Sequence, residues 1–186
     1  MKRFADIVIS ALALIVLSPF ALLARIFMHP MIFRQKRIGK DGKPFTLYKL
    51  RSMRTDAPRD VPTHLLSDAG AYITPFGKFL RRSSIDELPQ LWNVLRGDMS
   101  LVGPRPALWN QDDLIALRES NGANSVRPGL TGLAQIMGRD ELPVEVKAGY
   151  DGQYVRDYSL KLDIKIIFRT FRKVLAGSGI RDGDNG

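Results

Sequence analysis

The densest group of side chains capable of chemistry is Arg81-Arg82-Ser83-Ser84-Ile85-Asp86-Glu87-Leu88-Pro89-Gln90. Two adjacent carboxylates at a helix start, with two guanidiniums just ahead, suit phosphate chemistry. A carboxylate at a helix N-terminus is stabilised as the anion, and the free N–H groups beside it suit a phosphate. Asp86 and Glu87 could hold a divalent metal against a diphosphate while Arg81 and Arg82 neutralise its oxygens. A carboxylate can also attack phosphorus directly and form an acyl phosphate. A purely structural reading uses the same residues. Ser84 with Glu87 matches the S-x-x-E capping box. Asp86 serves equally well as the cap, placing Pro89 at the third helical position, where a missing N–H costs little.

Further along, Arg105 sits between two prolines, Arg127 precedes Pro128-Gly129, and Arg139 follows Gly138. Arginines held in turns and loops suit bidentate clamping of a diphosphate. Each alone reads as a surface arginine; together with the acid pair they point to a polyanion site. Other chemistries drop out. The chain has no cysteine, which removes thiol nucleophiles, thiolate zinc sites and disulfide scaffolds. His29 and His64 lack partners at metal-ligand spacing, and no Walker loop, G-x-G-x-x-G or G-x-S-x-G occurs.

These residues must be positioned by a chain of 186 residues, 45% apolar and 25% charged, the composition of one globular domain with a small appendage. Met31 to Gln35 and Pro44 to Leu50 read as strands joined by a turn at Gly39–Lys43, where Asp-Gly tolerates positive φ. This hairpin carries Arg34, Lys36, Arg37, Lys40 and Lys43. Residues 52–72 read as a long loop. Helices are expected over 77–82, over 85–95 with Leu88, Leu91, Trp92 and Leu95 on one face, near 110–120, and over 143–157. Residues 127–139 read as glycine-rich loop with short extended pieces. The helix expected over 159–176 sets Leu160, Ile164, Ile167, Phe168, Phe171, Val174 and Leu175 against Lys161, Lys165, Arg169, Arg172 and Lys173. It reads either as an interfacial helix or as a core-packing helix with a solvated basic face. The expected class is α/β, mainly helical with a small β-hairpin.

The net charge of +9 is uneven. Residues 1–60 hold 12 basic and 4 acidic side chains, whereas the rest hold 16 and 15. The basic third adjoins 18 uncharged residues, Ile7 to Ala24, at the lower edge of spanning length. The run is too long for a signal-peptide core and ends without a convincing cleavage site. Pro19 in its middle should kink a helix, and Ser18 can re-satisfy a freed carbonyl. A kinked crossing helix, a re-entrant helix and a soluble core helix are all compatible with the run. Basic residues on both flanks favour the re-entrant form, which keeps them on one side. The expected organisation is a membrane helix over 1–29, a catalytic domain over 30–178 and a flexible tail over 179–186. Nucleic-acid binding by the basic hairpin fits poorly beside such a run.

Six ordered stretches also carry a resemblance: Phe33 to Gly39 (FRQKRIG), Phe45 to Met53 (FTLYKLRSM), Gly77 to Arg81 (GKFLR), Ser84 to Leu95 (SIDELPQLWNVL), Gly97 to Pro106 (GDMSLVGPRP) and Arg127 to Gln135 (RPGLTGLAQ). From Lys2 to Gly179 the chain resembles the bacterial sugar transferase domain, the monotopic phosphoglycosyl transferases, in a small form without additional spanning segments. The resemblance implies transfer of a sugar 1-phosphate from a UDP-sugar to undecaprenyl phosphate, with Mg²⁺, at the cytoplasmic face of the bacterial inner membrane. It also implies a role in starting capsule, lipopolysaccharide or other glycans. Asp86 matches the family's nucleophile and Glu87 its partner, acting on the metal or on the acceptor's protonation. Lys49, Arg105, Gln135 and Arg139 match active-site positions, Arg105 toward the nucleotide and Arg139 toward the diphosphate. The 140–150 region is expected near the sugar. Anionic lipid is an expected partner of residues 34–54 and 159–176, and a homodimer is expected. A UDP-sugar hydrolase and a non-catalytic membrane scaffold are the competing readings.

Overall fold

A computed structural model describes residues 2–27, 31–61, 66, 69–138 and 142–176, with side chains of 20–27 outside that description. His29, His64, Arg139, Asp140, Glu141 and the tail over 179–186 therefore lie outside the described residues. The chain is mixed α/β and mainly helical. Helix α1 (Lys2–Phe27) leads into strands β1 (Ile32–Ile38) and β2 (Pro44–Leu50), followed by α2 (Ala69–Tyr72), α3 (Pro75–Arg82), a 3-10 turn at Ile85–Glu87 and α4 (Gln90–Arg96). Strand β3 (Ser100–Val102), α5 (Asp112–Ser120), β4 (Gly129–Thr131), α6 (Leu133–Met137), α7 (Val144–Arg156) and α8 (Leu160–Leu175) complete it.

β1 and β2 pair antiparallel in the register Ile32↔Leu50 to Ile38↔Pro44. The turn between them uses positive φ at both Asp41 and Gly42, as the Asp-Gly pair leads one to expect. β3 and β4 form a second, parallel pair, Ser100↔Gly129 and Val102↔Thr131. Sequence patterns miss this pair because each strand is three residues long. Glycine makes it fit: a Cβ on Gly129 would stand 2.1 Å from the Gly103 amide nitrogen, and one on Gly132 2.1 Å from the Gly103 carbonyl oxygen. α6 was also hidden within the glycine-rich stretch. The core is divided among small clusters, including Leu47, Val94 and Met99 under the hairpin and Val102, Ile136, Tyr154 and Ile166 beneath α8.

The expected helix over 85–95 is two elements. The 3-10 turn at Ile85–Glu87 is separated from α4 by Leu88 and Pro89, because Pro89 has no N–H to continue the ladder. The buried face of α4 is Gln90, Leu91, Asn93 and Val94, whereas Trp92 is half exposed. Asn93 fixes α4 to β2: its amide accepts from Tyr48 N at 3.2 Å and donates to the Thr46 carbonyl at 2.7 Å.

α1 runs through Pro19 as helix. Proline leaves the Ile15 carbonyl without its usual donor four residues on, and the Ser18 hydroxyl donates to that carbonyl at 2.8 Å, as expected of Ser18. The charges around the apolar run do something other than face lipid. Lys2 pairs with Asp163 at 2.5 Å. Arg3 donates to the carbonyls of Val94 and Leu95 at 2.5 and 2.8 Å, capping the end of α4. Asp6, 4% exposed, accepts from the Ser100 hydroxyl and Leu101 N. Beyond them Phe4, Leu12, Ile15 and Val16 are exposed. Among the described residues no helix is long and apolar enough to cross a membrane.

Candidate active site

Ser84 opens the site. It lies in the left-handed region at φ 55° with no side-chain cap bond, so the expected capping box does not form. The reason is that Glu87 is used elsewhere. This left-handed residue, uncommon for anything but glycine, reverses the chain between α3 and the 3-10 turn and delivers two successive carboxylates to one cavity. That cavity, about 550 Å³, is lined by Asp86, Glu87, Lys49, Arg81, Arg105 and Gln135 among others. Arg118, Lys147 and Lys173 also reach it.

Glu87 and Asp86 have opposite environments. Lys49 Nζ stands 3.1 Å from Glu87 Oε1, and Arg105 Nη2 2.7 Å from the same oxygen. Burial alone would raise the Glu87 pKa, but the Arg105 guanidinium and Lys49 ammonium outweigh it and hold this carboxyl well below the usual range. Asp86, 7% exposed, accepts no hydrogen bond from any described residue. Burial, reinforced by the neighbouring Glu87 charge, raises its pKa against the pull of Lys49, Arg81 and Arg105. Burial likewise lowers the Lys49 pKa, opposed mainly by Glu87. One carboxylate is thus fixed and neutralised, whereas the other is more basic and accepts no hydrogen bond from a described residue, an arrangement whose chemistry suits an oxygen nucleophile or a metal ligand.

Arg105 is aimed by its backbone. Arg118 Nη1 donates to the Arg105 carbonyl at 2.8 Å, and Arg37 Nη1 to the Pro106 carbonyl at 3.0 Å. Ile38 N adds a bond to the Ala107 carbonyl at 2.9 Å. Arg118 is itself held by Asp151, which accepts from Nε at 2.9 Å and from Nη2 at 2.5 Å, both side chains almost fully buried. Sequence reasoning missed Arg118 and Asp151, which lie 33 residues apart and match no motif, and treated Arg37 as one of a cationic hairpin set.

Of the other expected site residues, Gln135 is 8% exposed and donates through Nε2 to the Leu130 carbonyl at 3.2 Å, and its Oε1 has no hydrogen-bond partner among the described residues. Two arginines lie apart from the cavity lining. Arg127 is exposed and bonds the Gly97 carbonyl at 2.8 Å, capping the end of α4. Arg82 is exposed on the outer side of α3, beside Lys78 and Phe79. Both lie in α3, where 3.6 residues per turn set successive side chains about 100° apart, so adjacent Arg81 and Arg82 part company.

Among the described residues no cluster of three or more His, Asp or Glu side chains gathers. An all-protein metal cage is therefore not built from them. The Asp86–Glu87 pair fits Mg²⁺, which commonly takes one or two carboxylates and completes its shell with substrate phosphate and water.

The cavity grades into an apolar wall. α8 is buried through Ile166 and Asp163, while Ile164, Ile167, Phe168, Phe171 and Leu175 remain exposed. The apolar face of this helix is turned away from the core, so the core-packing reading of that face does not hold.

A family model for bacterial sugar transferases matches residues 1–177. The uncharacterised sugar transferase EpsL of Bacillus subtilis is 42% identical over 186 residues, covering 97% of this chain and 90% of that protein. A UDP-glucose:undecaprenyl-phosphate glucose-1-phosphate transferase of Klebsiella pneumoniae is 43% identical over 92% of this chain, which spans only 39% of that protein. Its namesake in Caulobacter vibrioides is 43% identical, covering 94% of this chain and 69% of its own length.

Proposed function

For a chain that belongs to the bacterial sugar transferase family, we propose the transfer of a sugar 1-phosphate from a UDP-sugar to undecaprenyl phosphate, through a covalent intermediate on Asp86. The observation that carries this reading is the division of labour in the acid pair: Glu87 is neutralised by Lys49 and Arg105, while the buried Asp86 carboxylate stays open to the cavity. In the first step an Asp86 carboxylate oxygen attacks the phosphorus bearing the sugar. The bond from that phosphorus to the bridging oxygen breaks, and UMP leaves with the electron pair. In the second step an oxygen of undecaprenyl phosphate attacks the same phosphorus, the bond to Asp86 breaks, and the carboxylate is regenerated. The acceptor enters as the phosphate anion, so no net proton is needed. Arg81 and Arg105 face the charge that builds on the phosphoryl oxygens. Asp86 and Glu87 would hold Mg²⁺, which supplies charge neutralisation for the diphosphate when bound.

The membrane arrangement belongs to the same proposal. Residues 2–6 are bonded to α4, β3 and α8, and Met31 is packed on the Leu50–Leu80 cluster. Three residues separate Phe27 from Met31, about 14 Å of extended chain at most. Both ends of the apolar helix therefore return to one body, which supports entry and exit on the same, cytoplasmic, face. The positive-inside reasoning weakens at Lys2 and Arg3, whose charges are taken up within the protein. The topology of the bonds carries more weight.

The test is UMP release by detergent-solubilised protein with Mg²⁺, undecaprenyl phosphate and a panel of UDP-sugars, beside D86N. A rapid burst of one equivalent of UMP without acceptor, and its loss in D86N, is expected. Steady release that ignores undecaprenyl phosphate would turn the reading toward a hydrolase; unchanged release by D86N would overturn the mechanism.

A further inference from the structure

Arg105 spans two parts of the cavity: its guanidinium bonds Glu87, and its carbonyl is held by Arg118. On the Arg118 side the cavity is bounded by α5 and α7, and its lining there is Ala107, Leu108 and Leu114 with Gln111, Arg118 and Lys147. The three aliphatic residues are almost fully buried and form an apolar floor. The backbone beside that floor has no carbonyl to spare. Arg118 takes the Arg105 carbonyl, Arg37 the Pro106 carbonyl, Ile38 N the Ala107 carbonyl and Gln111 N the Leu108 carbonyl. Donors, by contrast, are left over. Gln111 Oε1 accepts from Leu108 N at 2.8 Å, which fixes the amide, and its Nε2 donates to no described residue. The half-buried Lys147 makes no hydrogen bond or ion pair with a described residue. Its charge acts on Asp151, but behind Arg118, which holds that carboxylate.

Of the two neutral parts of a nucleotide sugar, this end suits the base. A sugar ring carries hydroxyls that must donate as well as accept, and the neighbouring carbonyls are already engaged. Uracil has a flat apolar face and two in-plane carbonyl oxygens that take donors, which matches an apolar floor with a few placed polar groups. We propose that the α5–α7 end of the cavity is the base subsite of the donor, with Gln111 Nε2 and Lys147 Nζ donating to the two carbonyl oxygens of uracil. The inference rests on the proposed transfer from a UDP-sugar and adds how uridine is told from other nucleosides. Cytosine carries an amino group in place of one of those oxygens, so a donor would meet a donor and a hydrogen bond would be lost. The described part of the 140–150 region then serves the nucleotide and not the sugar expected there. The buried Arg118–Asp151 pair gains a purpose as well, since it ties together the two helices that carry the two donors.

The experiment measures binding of UMP, CMP, ribose 5-phosphate and glucose 1-phosphate by isothermal titration to detergent-solubilised wild type, Gln111→Glu and Lys147→Met. Tm and the acceptor-free UMP burst are taken on the same preparations. Gln111→Glu keeps the oxygen that Leu108 N needs while replacing the donating amide nitrogen by an acceptor. The wild type should bind UMP at least about tenfold more tightly than CMP, the scale of one hydrogen bond lost in a buried site. Each substitution should weaken UMP about tenfold and leave ribose 5-phosphate, glucose 1-phosphate and Tm unmoved. Gln111→Glu should also narrow the gap between UMP and CMP. UMP affinity that neither substitution moves overturns the base assignment. So does weakening of UMP in step with ribose 5-phosphate, which makes the contact one with phosphate, or weakening of glucose 1-phosphate alone, which makes it one with the sugar. A lower Tm in Lys147→Met with UMP affinity unmoved makes Lys147 a countercharge to Asp151 and overturns the assignment too. In each of these cases the wild-type burst stands. A wild type without a burst removes the transfer reading and this inference with it.

Discussion

At the residue scale, the site turns on two neighbouring carboxylates driven in opposite directions. Raising the Asp86 pKa means that the folded protein binds that proton more tightly than the unfolded chain. Ionised Asp86 is therefore a cost to stability at every pH above its unfolded value. D86N is expected to melt at or above the wild-type Tm at pH 7 while losing activity by at least about 10³-fold, as removal of a nucleophile commonly does. A Tm below wild type would contradict the burial cost. Glu87 has the opposite sign. Its depressed pKa contributes stability that is fully present above its unfolded value, near 4.3, and is lost only as pH falls through the much lower folded value. In the metal-free protein the Asp86 carboxyl should thus titrate above the ordinary aspartate range, read by the chemical shift of its labelled carboxyl carbon. In Glu87→Gln the repelling charge is gone while Lys49 and Arg105 remain, so this titration should move to lower pH in the same metal-free measurement.

At the element scale, the Pro-Arg-Pro loop is gripped from both sides, by Arg37 of β1 and by Arg118 of α5 backed by Asp151 of α7. Breaking a buried pair by removing one partner leaves an uncompensated charge, at a cost of about 3–5 kcal/mol. Asp151→Asn should lower stability by that order in urea unfolding. The pair also aims Arg105, so the surviving folded fraction should show a weakened donor KM, which loss of stability alone would not produce. Asn93 is the matching joint between α4 and β2. Asn93→Leu strands the Tyr48 amide and Thr46 carbonyl and should cost about 1–3 kcal/mol for each buried group left unpaired, measured by thermal melts.

At the scale of the whole molecule, an apolar band runs over exposed faces of α1 and α8, reached by Phe76 and Phe79 of α3. Such a band on a body with net charge +9 suits an anionic bilayer surface. Replacing Ile164 and Leu175 together by Glu should reduce flotation with phosphatidylglycerol-containing vesicles more than tenfold, given about 1.5–3 kcal/mol for each large apolar side chain returned to water. Raising salt should also weaken binding, since the hairpin and α8 keep exposed cations, but by less than the double substitution. Binding that collapses in salt but survives the double substitution would place the interaction on the basic hairpin instead.

Local patterns in the sequence determined a good deal. Strand β2 and helices α5, α7 and α8 follow from periodicity to within a residue or two, the hairpin turn from Asp-Gly, and the Ser18 back-bond from its place before Pro19. The acid pair and Arg105 were legible from residue type, spacing and resemblance. These features depend on neighbours a few residues away, which a linear reading contains. The tertiary structure decided what depends on distance through space. It set Glu87 on Lys49 and Arg105 rather than in a capping box, and it sent Arg127 and Arg82 away from the cavity that received Arg81. It also joined Arg118 to Asp151 and brought Asp6 to β3. The orientation of α8 was decided the same way. Its amphipathic pattern is equally compatible with either face inward, and only the packing of Ile166 and Asp163 against the core turned the apolar stripe out.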